Sequence, residues 1–280
     1  QTAGVLEVQG NFINTGAIGA GAGTGIIRFA GPTAKVVNTT ALQTIFNNIE
    51  FTGTGGTTFT NFQIVNINGD VTVNGGNVNA NNATLRFLSG GAQAINGTAN
   101  PRFSGIDVTN GTTVTANIAA MQIDGNMGIS TGGTFTAAAT NTTTFLGNTL
   151  KTIDAGAGTV TLHNVVTLGN GGLQTSPTTT LNVTGDWTNN SAFASLGVLV
   201  FNGAAPQQMT GTRDVLVNHM TLDNVFTNNL NACVNLDVFG NFTVNAGGSF
   251  TSTNRTMRFT GTALQTITNN AGAAAQNFGD

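Results

Sequence analysis

Charged side chains are scarce in this chain of 280 residues, since Asp, Glu, Lys and Arg together make up only 7%, against about 25% in typical soluble proteins. The eight basic residues are scattered and the net charge is −3, so the chain lacks the basic patch that nucleic-acid binding requires. Apolar residues still account for 39%, which is enough to bury a core and argues against disorder. Solubility must therefore come from amides and hydroxyls, and we expect no nucleic-acid partner.

Cysteine, proline and long apolar runs are also in short supply. The single cysteine, Cys233, excludes a framework of internal disulfides, and we expect its thiol to be buried and inert. No apolar run approaches the roughly 18 to 20 residues of a membrane span, so no membrane insertion is expected in this segment. Low charge with abundant Gly, Asn and Thr favours an extracellular location. The chain begins with Gln1 and shows no signal peptide, so we expect a processed or excised piece.

What the sequence has in abundance is repetition. A Gly-Asn or Gly-Asp dipeptide, which we call the anchor, recurs about every 57 residues, with apolar residues four and two positions before the glycine and two after it. The anchors are Gly10-Asn11, Gly69-Asp70, Gly125-Asn126, Gly185-Asp186 and Gly240-Asn241. Such a period marks units that bury their apolar face only against their neighbours. We expect one domain over 1–280, with repeats of approximately 1–64, 65–120, 121–180, 181–235 and 236–280, the last incomplete.

Three further landmarks recur within each repeat. A triplet ending in Phe follows the anchor by about 18 residues, as in Ile27-Arg28-Phe29. A Gln or Lys comes next, at Lys35, Gln93, Lys151, Gln207 and Gln265. An apolar pair three residues apart completes the set, at Phe46/Ile49, Phe103/Ile106, Leu162/Val165 and Val217/Met220. Between the landmarks, Val, Ile, Phe and Thr alternate with polar residues, as in strands, and the four prolines avoid these runs.

This spacing predicts an all-β fold, a parallel β-helix (β-solenoid) of about five repeats with about three coils of about 19 residues each. Two longer coils per repeat, or a string of small β-sandwiches, are the alternatives; the sandwich needs about 100 residues per unit and fits less well. Equivalent residues would stack in columns, with amide and hydroxyl ladders between coils. The anchor is expected at a bend, where Asn or Asp suits a corner. Trp187, in the column of Phe12 and Phe242, is expected in the core.

Little in the chain points to catalysis. The two histidines, His163 and His219, take neighbouring but unequal positions about one repeat apart, and we expect surface variation rather than a metal or catalytic pair. The eleven acids are scattered, and Asp70 and Asp186 occupy anchors two repeats apart, whereas glycoside hydrolysis needs carboxylates about 5 to 9.5 Å apart. We therefore expect no enzyme, no cofactor and no metal. A polysaccharide-active β-helix enzyme is the least favoured alternative.

One possible binding surface is an outward column of arginines at the middle of the triplets, formed by Arg28, Arg86 and Arg258. It could hold acidic glycans or a partner protein. The simpler interpretation is protection of exposed strands, because charges discourage unwanted pairing. Thr-x-Thr segments, as found in ice-binding solenoids, also occur, but they do not keep register with the anchors.

The runs LNVTGDWTNNSAFASLGVLVFNGAAPQQMTG from Leu181, FGNFTVNAGGSFTSTNRTMRFTGTALQTI from Phe239 and INGDVTVNGGNVNANNATLRFLSGGAQAI from Ile67 resemble the repeats of giant secreted surface proteins of Bacteroidota. Many of those proteins carry a C-terminal sorting domain for type IX secretion. The resemblance covers nearly the whole chain and implies an adhesive or structural stalk on the cell surface, of the adhesin or filament-forming kind. It implies no catalytic residues.

We therefore expect a structural or adhesive segment of an extracellular adhesin or filament, with a glycan-binding surface module as the alternative. Neither end carries a polar cap, and uncapped solenoid ends expose unpaired strand edges. The expected partners are accordingly flanking repeats of a longer chain or another copy joined end to end, since a head-to-tail contact that does not close builds a filament. Glycans or other cell surfaces are further candidates.

Overall fold

A computed structural model describes residues 4–16, 24–39, 44–60, 64–231, 234–252, 255–272 and 276–278. Cys233 lies outside the described residues, so its expected burial stays a prediction. The chain divides into two compact units, residues 1–141 and 142–280, and each is described by itself. Within the described parts of both units all regular structure is β-strand, and every strand pair with an assigned register is parallel.

Within its described residues the first unit contains sixteen strands, which form three faces, A, B and C. They are β1 (Val5–Val8), β2 (Phe12–Asn14), β3 (Ile26–Phe29), β4 (Lys35–Thr39), β5 (Ile45–Phe46), β6 (Asn48–Phe51), β7 (Thr57–Thr60), β8 (Ile64–Ile67), β9 (Val71–Val73), β10 (Val78–Phe87), β11 (Ala92–Gly97), β12 (Arg102–Val108), β13 (Thr113–Asn117), β14 (Ala120–Ile123), β15 (Met127–Ile129) and β16 (Thr134–Ala137).

In the part of the second unit that the structure describes there are also sixteen strands, and they form faces D, E and F. They are β17 (Thr142–Phe145), β18 (Lys151–Asp154), β19 (Thr159–Leu162), β20 (Asn164–Thr167), β21 (Leu173–Thr175), β22 (Thr180–Val183), β23 (Trp187–Asn189), β24 (Phe193–Phe201), β25 (Gln207–Gly211), β26 (Val215–Leu222), β27 (Val225–Leu230), β28 (Asn235–Val238), β29 (Phe242–Val244), β30 (Ser249–Thr251), β31 (Thr256–Phe259) and β32 (Ile267–Asn269).

Each coil passes three faces before it returns above its own start. In the first unit, face A consists of β1, β3, β6, β9, β11, β13 and β16, face B begins with β2, β4 and β7, and face C begins with β5 and β8. In the second unit, face D consists of β17, β20, β23, β25, β27 and β30. Face E begins with β18 and β21 and ends with β28 and β31, and face F begins with β19 and β22 and ends with β29 and β32.

Some strands bend around a corner and serve two faces. Strand β10 pairs with β12 on both sides of a register shift between Ala80 and Thr84, so its first part lies on face B and its second part on face C. Strands β24 and β26 do the same between faces E and F. The apolar pair three residues apart marks a corner between two faces, because both of its members point inward while the two residues between them turn the chain. Phe46 and Ile49, for example, are both buried.

The parallel β-solenoid predicted from the sequence is therefore confirmed within each unit, but the coils are longer than predicted. Paired residues on adjacent coils are usually 21 or 22 positions apart, as for Val5 with Ile26 and Ile27 with Ile49. The range runs from 18, for Leu181 with Leu199, to 25, for Phe242 with Ile267. A coil closes only after three strands and three corners, and this takes more residues than the landmark spacing indicates.

Because its period is not a whole number of coils, the repeat moves around the axis. The strand that precedes the anchor is β1 on face A in the first repeat, β8 on face C in the second and β14 on face B in the third. In the second unit the strands that follow the anchors, β23 and β29, also lie on different faces, D and F. Trp187 and Phe242 therefore do not share a column, which corrects the expectation above.

The core consists of alternating inward side chains. In β24 every second residue from Phe193 to Phe201 is buried, and each fully buried Val, Leu or Phe side chain contributes about 1.5–3 kcal/mol. Aromatic rings stack between coils, with the Phe29 and Phe51 centroids 5.5 Å apart and nearly parallel. Trp187 is fully buried, as expected. Apolar side chains are exposed on the first and last described coils, among them Leu6, Ile13, Leu264 and Ile267.

Candidate functional site

The polar landmarks meet at the corners, where they bind three successive coils together. In the first unit, Asn48 Oδ1 accepts the backbone N–H of Asp70 at 2.8 Å, and Asp70 Oδ1 in turn accepts the N–H of Ala94 at 2.8 Å. Gln93 Nε2 reaches back to the carbonyls of Ile67 at 3.2 Å and Gly69 at 3.0 Å. We call this arrangement the corner network: an acceptor on one coil, the anchor on the next and a buried glutamine on the third.

The corner network recurs twice in the second unit. Asn164 Oδ1 accepts the N–H of Asp186 at 2.9 Å, Asp186 Oδ1 accepts the N–H of Gln208 at 2.9 Å, and Gln207 Nε2 donates to the carbonyl of Gly185 at 2.7 Å. In the next copy the corresponding residues are His219, Asn241 and Gln265, whose Nε2 donates to the carbonyl of Gly240 at 2.8 Å. The anchor, the glutamine and the polar residue inside the apolar pair therefore belong to one hydrogen-bonded network.

Contact with the coil below explains why the anchor begins with glycine. A Cβ atom at Gly185 would lie 2.3 Å from Asn164 Oδ1, and one at Gly240 would lie 2.4 Å from the carbonyl oxygen of Asn218. A Cβ at Gly10, which sits on the first described coil, would meet nothing within 4 Å. None of these glycines has a positive φ. Close approach of the coil below, through the Asn164 side chain at Gly185 and through the backbone at Gly240, rather than a left-handed backbone, therefore selects glycine at this position.

Lysine fills the glutamine position at Lys35 and Lys151, where both side chains are 1% exposed. Lys35 Nζ donates to the carbonyls of Gly31 at 3.1 Å and Thr33 at 2.8 Å, and Lys151 Nζ donates to the carbonyl of Thr149 at 2.7 Å. An ammonium group needs several acceptors when it is buried, and the turn in front of the strand supplies them. The lysine side chain therefore bonds to the turn that precedes its own strand, whereas the glutamine side chain bonds to the preceding coil.

The histidines lie in this corner position as well. His219 Nδ1 accepts the N–H of Asn241 at 2.9 Å, so in this geometry the proton of the neutral ring resides on Nε2. His163 Nδ1 lies 3.0 Å from Thr184 Oγ1, while the acceptor for the anchor of that repeat is Asn164. Sequence reasoning missed the role of His219. The sequence did contain a signal for this role, because His219 occupies the position in the repeat that Asn48 and Asn164 occupy in other repeats.

The predicted ladders of amides and hydroxyls are present on the outer faces. Asn117 Nδ2 donates to Asn96 Oδ1 at 3.1 Å in the first unit. In the second unit, Asn245 Nδ2 donates to Asp223 Oδ1 at 2.6 Å, and the hydroxyls of Thr188 and Thr210 are 3.2 Å apart. Each bond joins residues about one coil apart, so much of the outward polar chemistry holds coils together.

The three candidate arginines do not form one column. In the first unit Arg28 lies on face A and Arg86 on face C, while Arg258 lies on face E of the second unit. Each forms an ion pair with a carboxylate on an adjacent coil: Arg28 with Glu50 at 2.7 Å, Arg86 with Asp107 at 2.7 Å and Arg258 with Asp237 at 2.6 Å.

The hydrogen bond that the Arg258 guanidinium donates to Asp237 raises the pKa of the guanidinium above its ordinary value. A raised pKa favours the charged form of the guanidinium, so Arg258 keeps its positive charge at every pH below that pKa and loses it only as the pH rises past it. Arg258 thus keeps its charge throughout the ordinary working range of pH.

Among the described residues, no group of three or more His, Cys, Asp or Glu side chains could hold a metal ion. Asp70 and Asp186, expected at separate anchors, act as corner acceptors in different units.

Grooves mark the outer surfaces of both units within the described residues. In the second unit an apolar groove of about 380 Å³ is lined by Leu150, Leu173, Phe193 and Leu216 beside Arg213 and Asp214. In the first unit a shallower one of about 250 Å³ contains Arg86, Ile64 and Ile106. A third, also in the first unit and about 370 Å³ in volume, is lined almost entirely by polar side chains and contains Arg102.

Arg102 was missed by sequence reasoning because it lies outside the triplets that define the arginine column. Its Nε and Nη2 contact Asp124 Oδ2 at 2.7 and 2.6 Å.

Within the described ranges there is no helix long and apolar enough to cross a membrane. Comparison with protein-family models, with curated proteins and with solved structures finds no match to this chain.

Proposed function

We propose that the chain is a structural and adhesive segment of an extracellular bacterial surface protein, an adhesin or filament whose work is mechanical. The observation that supports this proposal is the corner network, which joins three coils through side chains in each of its three copies. Anchors, buried glutamines, ladders and ion pairs are all engaged between coils. In this proposal the chain performs no chemistry, and its polar residues supply cohesion.

Stacked coils suit such a role because their stability is additive. Each new coil adds parallel backbone hydrogen bonds to the coil below, as in the six strands of face D, and contacts only its neighbours. The apolar side chains exposed on the outermost described coils, such as Leu6 and Ile267, are those that a further coil covers in the interior. In this proposal flanking repeats, or a second copy joined head to tail, provide that cover.

Pulling experiments on single molecules test the mechanical part of the proposal. When the full chain is held by both ends, the coils should detach one at a time or in small groups. One coil of 22 residues, such as the one from Ile27 to Ile49, extends by about 75 Å. Extension in steps of this size at sustained force supports the role. Unravelling without resolvable force would contradict it.

Antibody labelling tests the location. An antibody raised against the folded chain should stain intact cells of the source organism, and brief protease treatment of those cells should remove the signal. Staining that appears only after the cells are made permeable would rule out a surface scaffold, whatever the mechanical result.

A further inference from the structure

The polar groove of the first unit brings together residues from three successive coils. Asn79, Arg102 and Gln122 lie directly opposite one another on adjacent strands of face B. Because adjacent strands are about 4.8 Å apart, this row spans about 10 Å. Asn77 and Asn100 complete the lining, together with Val78. Four amide side chains and one guanidinium therefore converge on a space of about 370 Å³, within the range of small-molecule sites.

Hydrogen-bonding capacity in this groove exceeds what the protein uses. Asn79 Oδ1 has no hydrogen-bond partner within the described part of the chain, and because this atom is shielded from solvent, a ligand reaches it only when the side-chain amide rotates towards the groove. Both bonds from Arg102 go to Asp124 Oδ2, so several of the five N–H donors of the guanidinium remain for another partner. The groove thus offers donors and acceptors side by side, and its one positive charge is balanced by Asp124.

We propose that this groove binds a neutral oligosaccharide, with Asn79, Asn100, Arg102 and Gln122 as the recognition residues. A sugar presents a row of hydroxyls, each of which donates one hydrogen bond and accepts others. Hydroxyls can therefore satisfy the amides and the spare guanidinium donors together. The row of three residues matches the length of a short oligosaccharide lying along the stack of coils.

Other ligand classes fit this groove less well. A cation would face Arg102 with one carboxylate, Asp124, that is already bonded to it. A polyanion would find a single arginine whose charge is balanced. An apolar ligand would contact only Val78 among the lining residues. By contrast, the apolar groove around Leu150 and Leu216 carries no proposal, because nothing in the structure shows what covers it.

The test is a binding screen with the full chain. The probes are neutral hexose and N-acetylhexosamine oligosaccharides of three to six units, with uronic-acid and sulfated oligosaccharides as the comparison. Saturable binding of at least one neutral probe is expected. Titration of the isotope-labelled protein should shift the side-chain amide resonances of Asn79, Asn100 and Gln122 more than those of Asn96 and Asn117, which form a ladder on face A.

Two variants decide the assignment. Asn100→Ala combined with Gln122→Ala removes two hydrogen-bonding groups and should weaken binding about 30-fold. Arg102→Lys keeps the charge beside Asp124 but loses the planar fork, and should also weaken binding. Asn117→Ala, at an exposed amide outside the groove, should leave the affinity unchanged within about twofold. All variants are first checked for native circular dichroism.

Three results would overturn the proposal. The first is no binding of any neutral probe up to about 10 mM. The second is binding that is unchanged in both groove variants, if those variants fold. The third is a preference for the acidic probes. If the groove variants do not fold, absence of shifts at Asn79, Asn100 and Gln122 in the titrated native protein is decisive instead.

Discussion

Replacing Gln207 by leucine tests whether the corner network stabilises the fold. The Gln207 side chain is 3% exposed and makes three hydrogen bonds. Its Nε2 donates to the carbonyls of Val183 at 2.9 Å and Gly185 at 2.7 Å, and its Oε1 accepts the N–H of Gly203 at 2.8 Å. Leucine fills a similar volume but makes none of these bonds, so the substitution isolates the polar contribution.

The expected cost is about 3 kcal/mol, taking about 1 kcal/mol for each hydrogen bond whose partner is left buried. Because the contacts in a solenoid are local, the loss should concentrate in the coils around the substitution. Local opening should then become about 100-fold more frequent, which amide hydrogen exchange measures directly. The backbone amide of Asn202, which donates to the carbonyl of Val183 at 3.1 Å, is a suitable reporter.

Gln208→Leu is the matched control. Gln208 is the next residue in β25, and its side chain lies on the outer face, where it bonds to Asp186 Oδ2 at 3.3 Å and receives a bond from Asn229. Its loss should cost under about 1 kcal/mol. Equal protection of the Asn202 amide in the wild type and in Gln207→Leu would refute the claim that the buried glutamine holds the coils together. An equal loss of protection at the Asn202 amide in Gln207→Leu and Gln208→Leu would refute the claim that the effect is specific to the buried glutamine.

Further substitutions probe the corners and the core. Gly185→Ala should cost about 2 kcal/mol or more in thermal or denaturant unfolding, because its Cβ would collide with the coil below; Gly10→Ala, which meets nothing, should cost under about 0.5 kcal/mol. His219→Asn should preserve the bond to the N–H of Asn241 and the stability, whereas His219→Leu should lose about 1 kcal/mol; equal stability would exclude the bond. Trp187→Phe should cost under about 1.5 kcal/mol in equilibrium unfolding, because the indole N–H has no partner among the described residues; a cost matching that of Trp187→Ala would contradict this.

The class of fold could be predicted from the sequence because it depends on local signals. Alternating apolar residues such as those from Phe193 to Phe201 encode strands, and Asn and Gly between them encode turns. The anchors could be recognised as special for the same reason, since they recur. Their purpose could not, because the atoms that exclude a side chain at Gly185 belong to Asn164, one coil away.

Coil length and the groove depend on long-range register, which the sequence does not show. Asn79 and Arg102 are 23 residues apart and Arg102 and Gln122 are 20 apart, yet each pair is directly opposite. Turns of unequal length between the strands account for the difference between these two spacings. The column of Arg28, Arg86 and Arg258 was predicted from equal positions in the repeat, and it is not formed in the first unit because the repeat and the coil have different periods.

The difference between the period of the repeat and the period of the coil decides how the anchors are distributed around the first unit. Its three anchors occur before β2, β9 and β15, which lie on faces B, A and C, so each edge of the triangular cross-section carries one of them. A seam of equivalent residues would concentrate reinforcement on one side and leave the opposite side open to peeling. Because the anchors are spread over all three edges, a separation that starts at one edge would not meet a continuous line of equivalent residues along the stack.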